Sequence, residues 1–263
     1  MPNLIIWYII CITLITGLTF CSVKFKFSNK IVFGIMAGVS FLSEMTKILT
    51  HMDPNYYTRA DGTEKFMGYF LAPAALPFHL CSIFIFIFFY LVLSKNEENK
   101  NWILSFIVPV GIIGGVMGVA FATSGTSFTD PSAYQSFIYH AVVTWFSLHF
   151  MITKKVNLGH KIYMRNLLMM FMLTICLIWV NSILRINAKL EGRYVNFMFL
   201  AYPPMEGLPL LNLNHGWTAY FFHLLFVGFL LVSIVHSPFI IMEKLGKKKQ
   251  QEIETSNTRE SVE

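Results

Sequence analysis

The chain has 263 residues, of which 55% are hydrophobic, 16% aromatic and only 13% charged. A soluble domain is about 45–50% apolar and about 25% charged, so this composition, with a mean hydropathy of +0.58, excludes a water-soluble enzyme and predicts helices in lipid. The net charge of +6 is spread over loops and the C-terminal tail with no basic aromatic face, which argues against nucleic acid as a partner.

Seven apolar runs lie at residues 3–22, 30–50, 70–93, 102–122, 132–153, 163–185 and 217–241. They predict an all-α, polytopic bundle of about seven transmembrane helices over residues 1–242. Residues 243–263, with Lys247-Lys248-Lys249 and then a polar run, read as a disordered basic and polar cytoplasmic tail. The first run has no Lys or Arg before Trp7 and is followed by Lys24, Lys26 and Lys30. It therefore reads as a retained helix with its N-terminus outside. Lys95, Lys100, Lys154, Lys155, Lys161, Arg165 and the tail lysines fall on the same side as Lys24, which places that side and the C-terminus in the cytoplasm. The expected location is the cell membrane, as a multi-pass protein.

Cys11, Cys21, Cys81 and Cys176 show neither CxxC pairs nor zinc-type spacing, so no disulfide framework, metal or cofactor is called for. In the fourth run Gly111, Gly114, Gly115 and Gly118 form a small-residue stripe suited to close helix packing.

Ionisable groups are costly in lipid, so their positions carry information. With this orientation, Glu44, Lys47, His79, Cys81, His140, Asn181, Arg185 and His223 all fall near the outer ends of their spans. They predict one outward-facing polar pocket. Glu44 and Lys47, at i and i+3, can pair on one helix face. Arg185, four residues after Asn181, suits a lipid phosphate. His149 and His236 fall near inner ends and read as interfacial. Pro73 and Pro77 precede Cys81, and Pro77 suits the first turn of a helix, leaving Cys81 in the second turn near free N–H groups, where a thiolate is favoured. His79 is two residues from Cys81 and would point elsewhere on a regular helix. A base from another span, His140, enters after the Asp130-Pro131 helix start.

Around these residues the sequence resembles the YwaF-like family of bacterial membrane proteins, itself similar to the transmembrane protein 164 family. The resemblance rests on Leu76-Pro77-Phe78-His79-Leu80-Cys81-Ser82, on His140, and on Tyr194-Val195-Asn196-Phe197-Met198-Phe199-Leu200 followed by Pro204 and Gly216-Trp217. Asn214-His215 and Thr218 depart from the family's usual residues. The resemblance implies an acyltransferase acting on phospholipids through an acyl-thioester centre, with Cys81 as the cysteine and His140 as the histidine.

The reading that follows is a phospholipid acyltransferase or acyl hydrolase with Cys81 as nucleophile and His140 as base. His79 or the helix start would stabilise the oxyanion, and Glu44, Asn181, Arg185, Asn196, Trp217 and His223 would line the substrate site. The rival readings are a solute or proton transporter, which needs polar residues continuing to the inner face, and a lipid-binding subunit without catalysis.

Overall fold

The computed structural model describes residues 2–59, 62–121, 125–190, 195–204 and 207–260, except for the side chains of residues 2, 57, 74, 185–190, 248–249 and 251–260. Among the described residues there are seven α-helices: α1 (Pro2–Lys24), α2 (Asn29–Thr50), α3 (Leu80–Leu93), α4 (Glu97–Ala120), α5 (Pro131–Ile152), α6 (His160–Leu190) and α7 (Gly216–Glu260). A hairpin, β1 (Met52–Thr58) and β2 (Glu64–Leu71), lies between α2 and α3.

Among the described residues five helices, α1, α2, α4, α6 and α7, are long and apolar enough to cross a membrane. Large apolar side chains such as Ile9, Ile12, Leu168, Trp179, Phe222 and Phe226 are exposed on α1, α6 and α7. Lipid would cover them, since a bilayer is as apolar as the side chains themselves. In a helix every backbone bond is made internally, which is why long apolar runs take this form in lipid.

Three of the sequence expectations change. The run at 70–93 is not one long span: its first part completes β2 and then forms a 3-10 turn at Pro73–Ala75, and α3 has only 14 residues. At 1.5 Å per residue that is about 21 Å, short of the roughly 30 Å hydrocarbon core. Proline lacks an amide hydrogen and fixes φ, so Pro73 and Pro77 keep the helix from starting earlier. The segment expected as a disordered tail continues α7 as far as Glu260. Where the sequence predicts loop and span, β1 and β2 form a hairpin that pairs from Met52 with Leu71 to Thr58 with Glu64, with a bulge after Asn55.

The helix α5 is the hub. It packs against α4, α1 and α2, and α3 packs against α2. Its residues Tyr139, Val142, Val143, Trp145, Phe146 and Phe150 are buried among Phe33, Met36, Phe84 and Phe88 of α2 and α3. The glycine stripe of α4 makes this closeness possible: a methyl group on Gly111 would meet Ser147, and one on Gly115 would meet Thr144 and the His140 carbonyl.

Midway along α4, Pro109 cannot donate to the carbonyl of Ser105 four residues earlier. Asn166 of α6 satisfies that carbonyl, its Nδ2 donating to Ser105 O at 2.6 Å. Nδ2 also lies 3.2 Å from Nε2 of His236, whose Nδ1–H donates to the Leu158 carbonyl at 2.9 Å. His236 is fully buried, as is His149, whose Nδ1 lies 3.0 Å from Ser22 Oγ. Both were expected at the interface. Ser22 of α1, which meets both His149 and Trp145, closes over His149, while Asn166 of α6 and the Leu158 carbonyl enclose His236; no local pattern encodes these contacts.

Candidate functional site

Chain direction alternates along the bundle, so the end of α2, the start of α3 and the first half of α5 come to one end. The helix α3 begins at Leu80 with His79 as its N-cap in extended conformation, so Cys81 lies in the first turn, one turn closer to the helix start than expected. Residues at this position have amides without intrahelical acceptors. The next residue, Ser82, gives its amide to the His79 carbonyl at 3.0 Å and holds its hydroxyl towards α2.

Lys47 joins α2 to this turn. Its ammonium is 2.8 Å from Glu44 Oε1 and donates to Ser82 Oγ at 2.9 Å, and its charge acts on both Cys81 and His79. The i, i+3 pair of Glu44 and Lys47 is therefore not a surface pair: the two side chains retain only 18% and 11% exposure.

The helix α5 supplies two neighbours in sequence. Tyr139, buried, donates its hydroxyl to the Cys81 carbonyl at 2.6 Å. His140 donates Nδ1–H to the Ser136 carbonyl at 2.6 Å. A carbonyl only accepts, so this bond sets the tautomer and leaves Nε2 with a free lone pair. The ring lies against Gly118 of α4, where any β-carbon would run into it. His140 and His79 interact electrostatically. Cys81, His79, His140, Glu44 and Lys47 thus belong to one locality, fed by α2, α3 and α5.

The other predicted residues lie around the segment after α6. Asn181 accepts the Phe197 amide at 2.8 Å and donates to the Phe197 carbonyl at 3.0 Å. Asn196 accepts from Ala201 N at 2.9 Å and donates to Tyr202 O at 2.9 Å. Trp217 donates its indole N–H to Leu200 O at 2.8 Å, and Tyr220 donates to the Phe199 carbonyl. The polar atoms of Asn181 and Asn196 are thus engaged with backbone, holding a turn in which Met198 and Phe199 adopt positive φ. That turn presents the buried Phe197 ring to Phe78 and, at 4.9 Å, to His79. His223 lies apart, with Nδ1 3.0 Å from the Leu210 carbonyl. The side chain of Arg185 lies outside the described residues.

Lys47 falls in the pocket that the sequence predicts, whereas Tyr139 and Ser82 are not foreseen there as functional. An aromatic residue in an apolar helix and a serine after a cysteine carry no signal of their own; only their neighbours across the bundle give them one. The other cysteines have no such setting. All four are free thiols; Cys11 is buried with its Sγ 3.6 Å from Phe137 O, and Cys176 is exposed on α6.

A helical bundle with lipid-facing apolar flanks and a polar locality enclosed at one end defines a multi-pass integral membrane protein. The chain belongs to the TMEM164 family, which it matches over residues 3–236, and the expected similarity to that family holds. No curated protein and no solved structure matches it.

Proposed function

We propose that the protein is a phospholipid acyltransferase or acyl hydrolase working through a Cys81 thioester, in the leaflet that the loop charges mark as the outer one. The observation that carries the reading is the His140 ring, held by its Nδ1–H bond to Ser136 with Nε2 free to accept a proton, on the same α5 turn that ties down the Cys81 backbone through Tyr139.

In the first half-reaction His140 Nε2 takes the Cys81 thiol proton, and the sulfur adds to the ester carbonyl of the lipid. The positive end of the α3 dipole and the Lys47 ammonium are suited to stabilise the resulting oxyanion. The C–O bond breaks, His140 returns the proton to the departing lysophospholipid oxygen, and the acyl group remains on sulfur. In the second half-reaction an acceptor alcohol or water gives its proton to Nε2, its oxygen adds to the thioester carbonyl, and the C–S bond breaks. The leaving thiolate recovers the proton from His140.

Water exclusion separates transfer from hydrolysis. In this reading Phe78 and Phe197, beside His79, are the side chains placed to limit water. Glu44 fixes the Lys47 ammonium and does not itself touch the lipid.

One observation favours the transport reading: buried polar groups do continue towards the other end, at Ser22, His149, Asn166 and His236. Between the two zones lie Phe84, Phe88, Val143 and Phe146, all buried in one apolar cluster that is interrupted on α5 only by the buried hydroxyls of Thr144 and Ser147. That layer favours a closed site over a path.

The test uses full-length protein in nanodiscs with an alkyne-tagged phospholipid. Hydroxylamine-sensitive labelling is expected in the native protein, absent in Cys81→Ser and reduced at least about a hundredfold in His140→Ala. Labelling that persists in Cys81→Ser overturns the covalent mechanism.

A further inference from the structure

The opposite end of the bundle holds a cavity of about 580 Å³ that the acyl chemistry does not use. It is bounded by the first turns of α4, the loop from α5 to α6, and the first turns of α6. Three cations line it, Lys154, Lys155 and Arg165, with Asn101, Ser105 and Asn157 between them. No carboxylate is among its described lining residues.

Lysines flanking a membrane helix ordinarily meet the demand for positive charge on the cytoplasmic side and no more. Arg165 is different because it is fixed. Its guanidinium carbon sits 4.8 Å from the centre of the Trp102 ring. Its Nη2 donates to Ser105 Oγ at 2.5 Å and shares its other hydrogen between Asn166 Oδ1 at 3.2 Å and the Trp102 carbonyl at 3.3 Å. Its Nε is buried without a partner. That Nε is enclosed from a ligand as well as from solvent, but Nη1 makes no hydrogen bond among the described residues, since all of those made by Arg165 use Nη2, so the donors left for an oxyanion are those of Nη1.

The loop is shaped around the same place. Lys154 ends α5 in the left-handed region, with φ of 54°, which is uncommon for a residue other than glycine. Its amide bonds Met151 O, and the next amide, of Lys155, bonds Phe150 O. The Lys155 ammonium reaches Phe27 O at 3.2 Å, tying the loop to the turn after α1. Asn157 spends its Oδ1 on the Gly159 amide, so its NH2 group stays available as a donor.

We propose that this cavity binds a phosphate group. A planar guanidinium with two ammonium groups and amide donors suits a tetrahedral oxyanion of one or two negative charges, and the volume lies within the range of small-ligand sites, about 300–1,000 Å³. Trp102 gives the cavity an apolar wall against which the group attached to the phosphate packs. The phosphate comes either from a lipid headgroup of that leaflet or from a soluble phosphate ester, two sources with one recognition chemistry. The site is independent of Cys81.

The test is calorimetric titration of the full-length protein in dodecyl maltoside, phosphate-free, with dioctanoyl phosphatidic acid and, separately, with glycerol 3-phosphate. Dioctanoylglycerol is the uncharged control. Saturable one-site binding of at least one phosphate probe is expected, weakened about tenfold or more in Lys154→Gln/Lys155→Gln and unchanged in Cys81→Ser. Binding of phosphatidic acid alone assigns the lipid source; comparable binding of both probes assigns a soluble ester. Arg165→Lys, which keeps the charge and loses the fork, is expected to weaken binding while leaving the unfolding temperature within a few degrees. Absence of binding by both probes, equal binding of dioctanoylglycerol, or binding indifferent to the double lysine substitution overturns the proposal.

Discussion

The Tyr139 hydroxyl and the Cys81 carbonyl are 2.6 Å apart, so the first turn of α3 is fastened to α5 one residue before His140. This bond links the position of the thiol to that of the imidazole through a single stretch of helix. The predicted consequence is that Tyr139→Phe, which keeps the ring and loses the hydroxyl, costs about 1 kcal/mol of stability. Acyl labelling of Cys81 should fall several-fold beyond any effect on folding. Comparing the labelling rate with the unfolding midpoint in detergent checks this; an unchanged rate would show that the bond does not position the thiol.

Gly118 gives His140 its space. A methyl group there meets the imidazole ring, which must rotate away from its Ser136 bond or push α4 outward. Overpacking of this kind costs about 1–3 kcal/mol, and a displacement of about 1 Å at a reacting group can cost about a hundredfold in rate. Gly118→Ala is expected to lower acyl labelling by about ten- to a hundredfold. Gly114→Ala, where the added carbon would meet only Leu80 Cδ2 at an ordinary 3.8 Å, should have little effect, and the two variants assayed side by side make the comparison.

Asn181 holds the turn that presents Phe197 to His79. Asn181→Leu removes both bonds to Phe197 and leaves a buried amide and carbonyl unpaired, each worth about 1–3 kcal/mol. The unfolding temperature should drop clearly, and hydrogen exchange at residues 195–200 should rise more than exchange in α5. Uniform exchange across the bundle would argue against a local role.

Asp130 lies outside the membrane helices and caps α5, accepting the Ser132 amide at 2.8 Å. Hydrogen bonds from the Ser132 side chain and amide hold its carboxyl below the ordinary value of 3.8. A carboxyl depressed in the folded state stabilises the fold fully above its unfolded value, and this contribution is lost as pH falls through the folded value. Asp130→Ala should therefore lower the unfolding temperature at neutral pH, with the difference from the native protein shrinking in acid. Unfolding scans between neutral and strongly acidic pH report the trend; a difference that grew on acidification would contradict it.

Much of the architecture was legible because lipid imposes a simple rule: an apolar run of sufficient length must be helical. The starts of α2, α5 and α6 fall close to their predicted positions for this reason, and Asp130-Pro131 marks the start of α5 as read. The rule failed where a run was apolar without being one helix. Residues 70–93 contain a strand end, a 3-10 turn and a short helix, and Pro77, which suits the first turn of a helix, instead precedes its start. The hairpin escaped because its strands are short and the aromatic residues that stabilise it, Tyr56, Phe66 and Tyr69, are largely exposed; they carry no buried alternating face.

The sequence by itself determined that this is a membrane bundle and that Cys81, His79, His140 and Glu44 share one end of it, because depth in a bilayer follows from position along each span. It could not determine rotation. Which face of α5 meets α3, and so which side chains meet Cys81, depends on how Gly111, Gly115 and Gly118 let α4 approach, a fit among surfaces far apart in the chain. Tertiary structure alone decided that Tyr139 and Lys47 meet the turn bearing Cys81, and that Asn181, Asn196 and Trp217 brace a turn. It also enclosed His149 and His236 and left Arg165 facing a cationic cavity. Each of these depends on a partner supplied by another helix or loop.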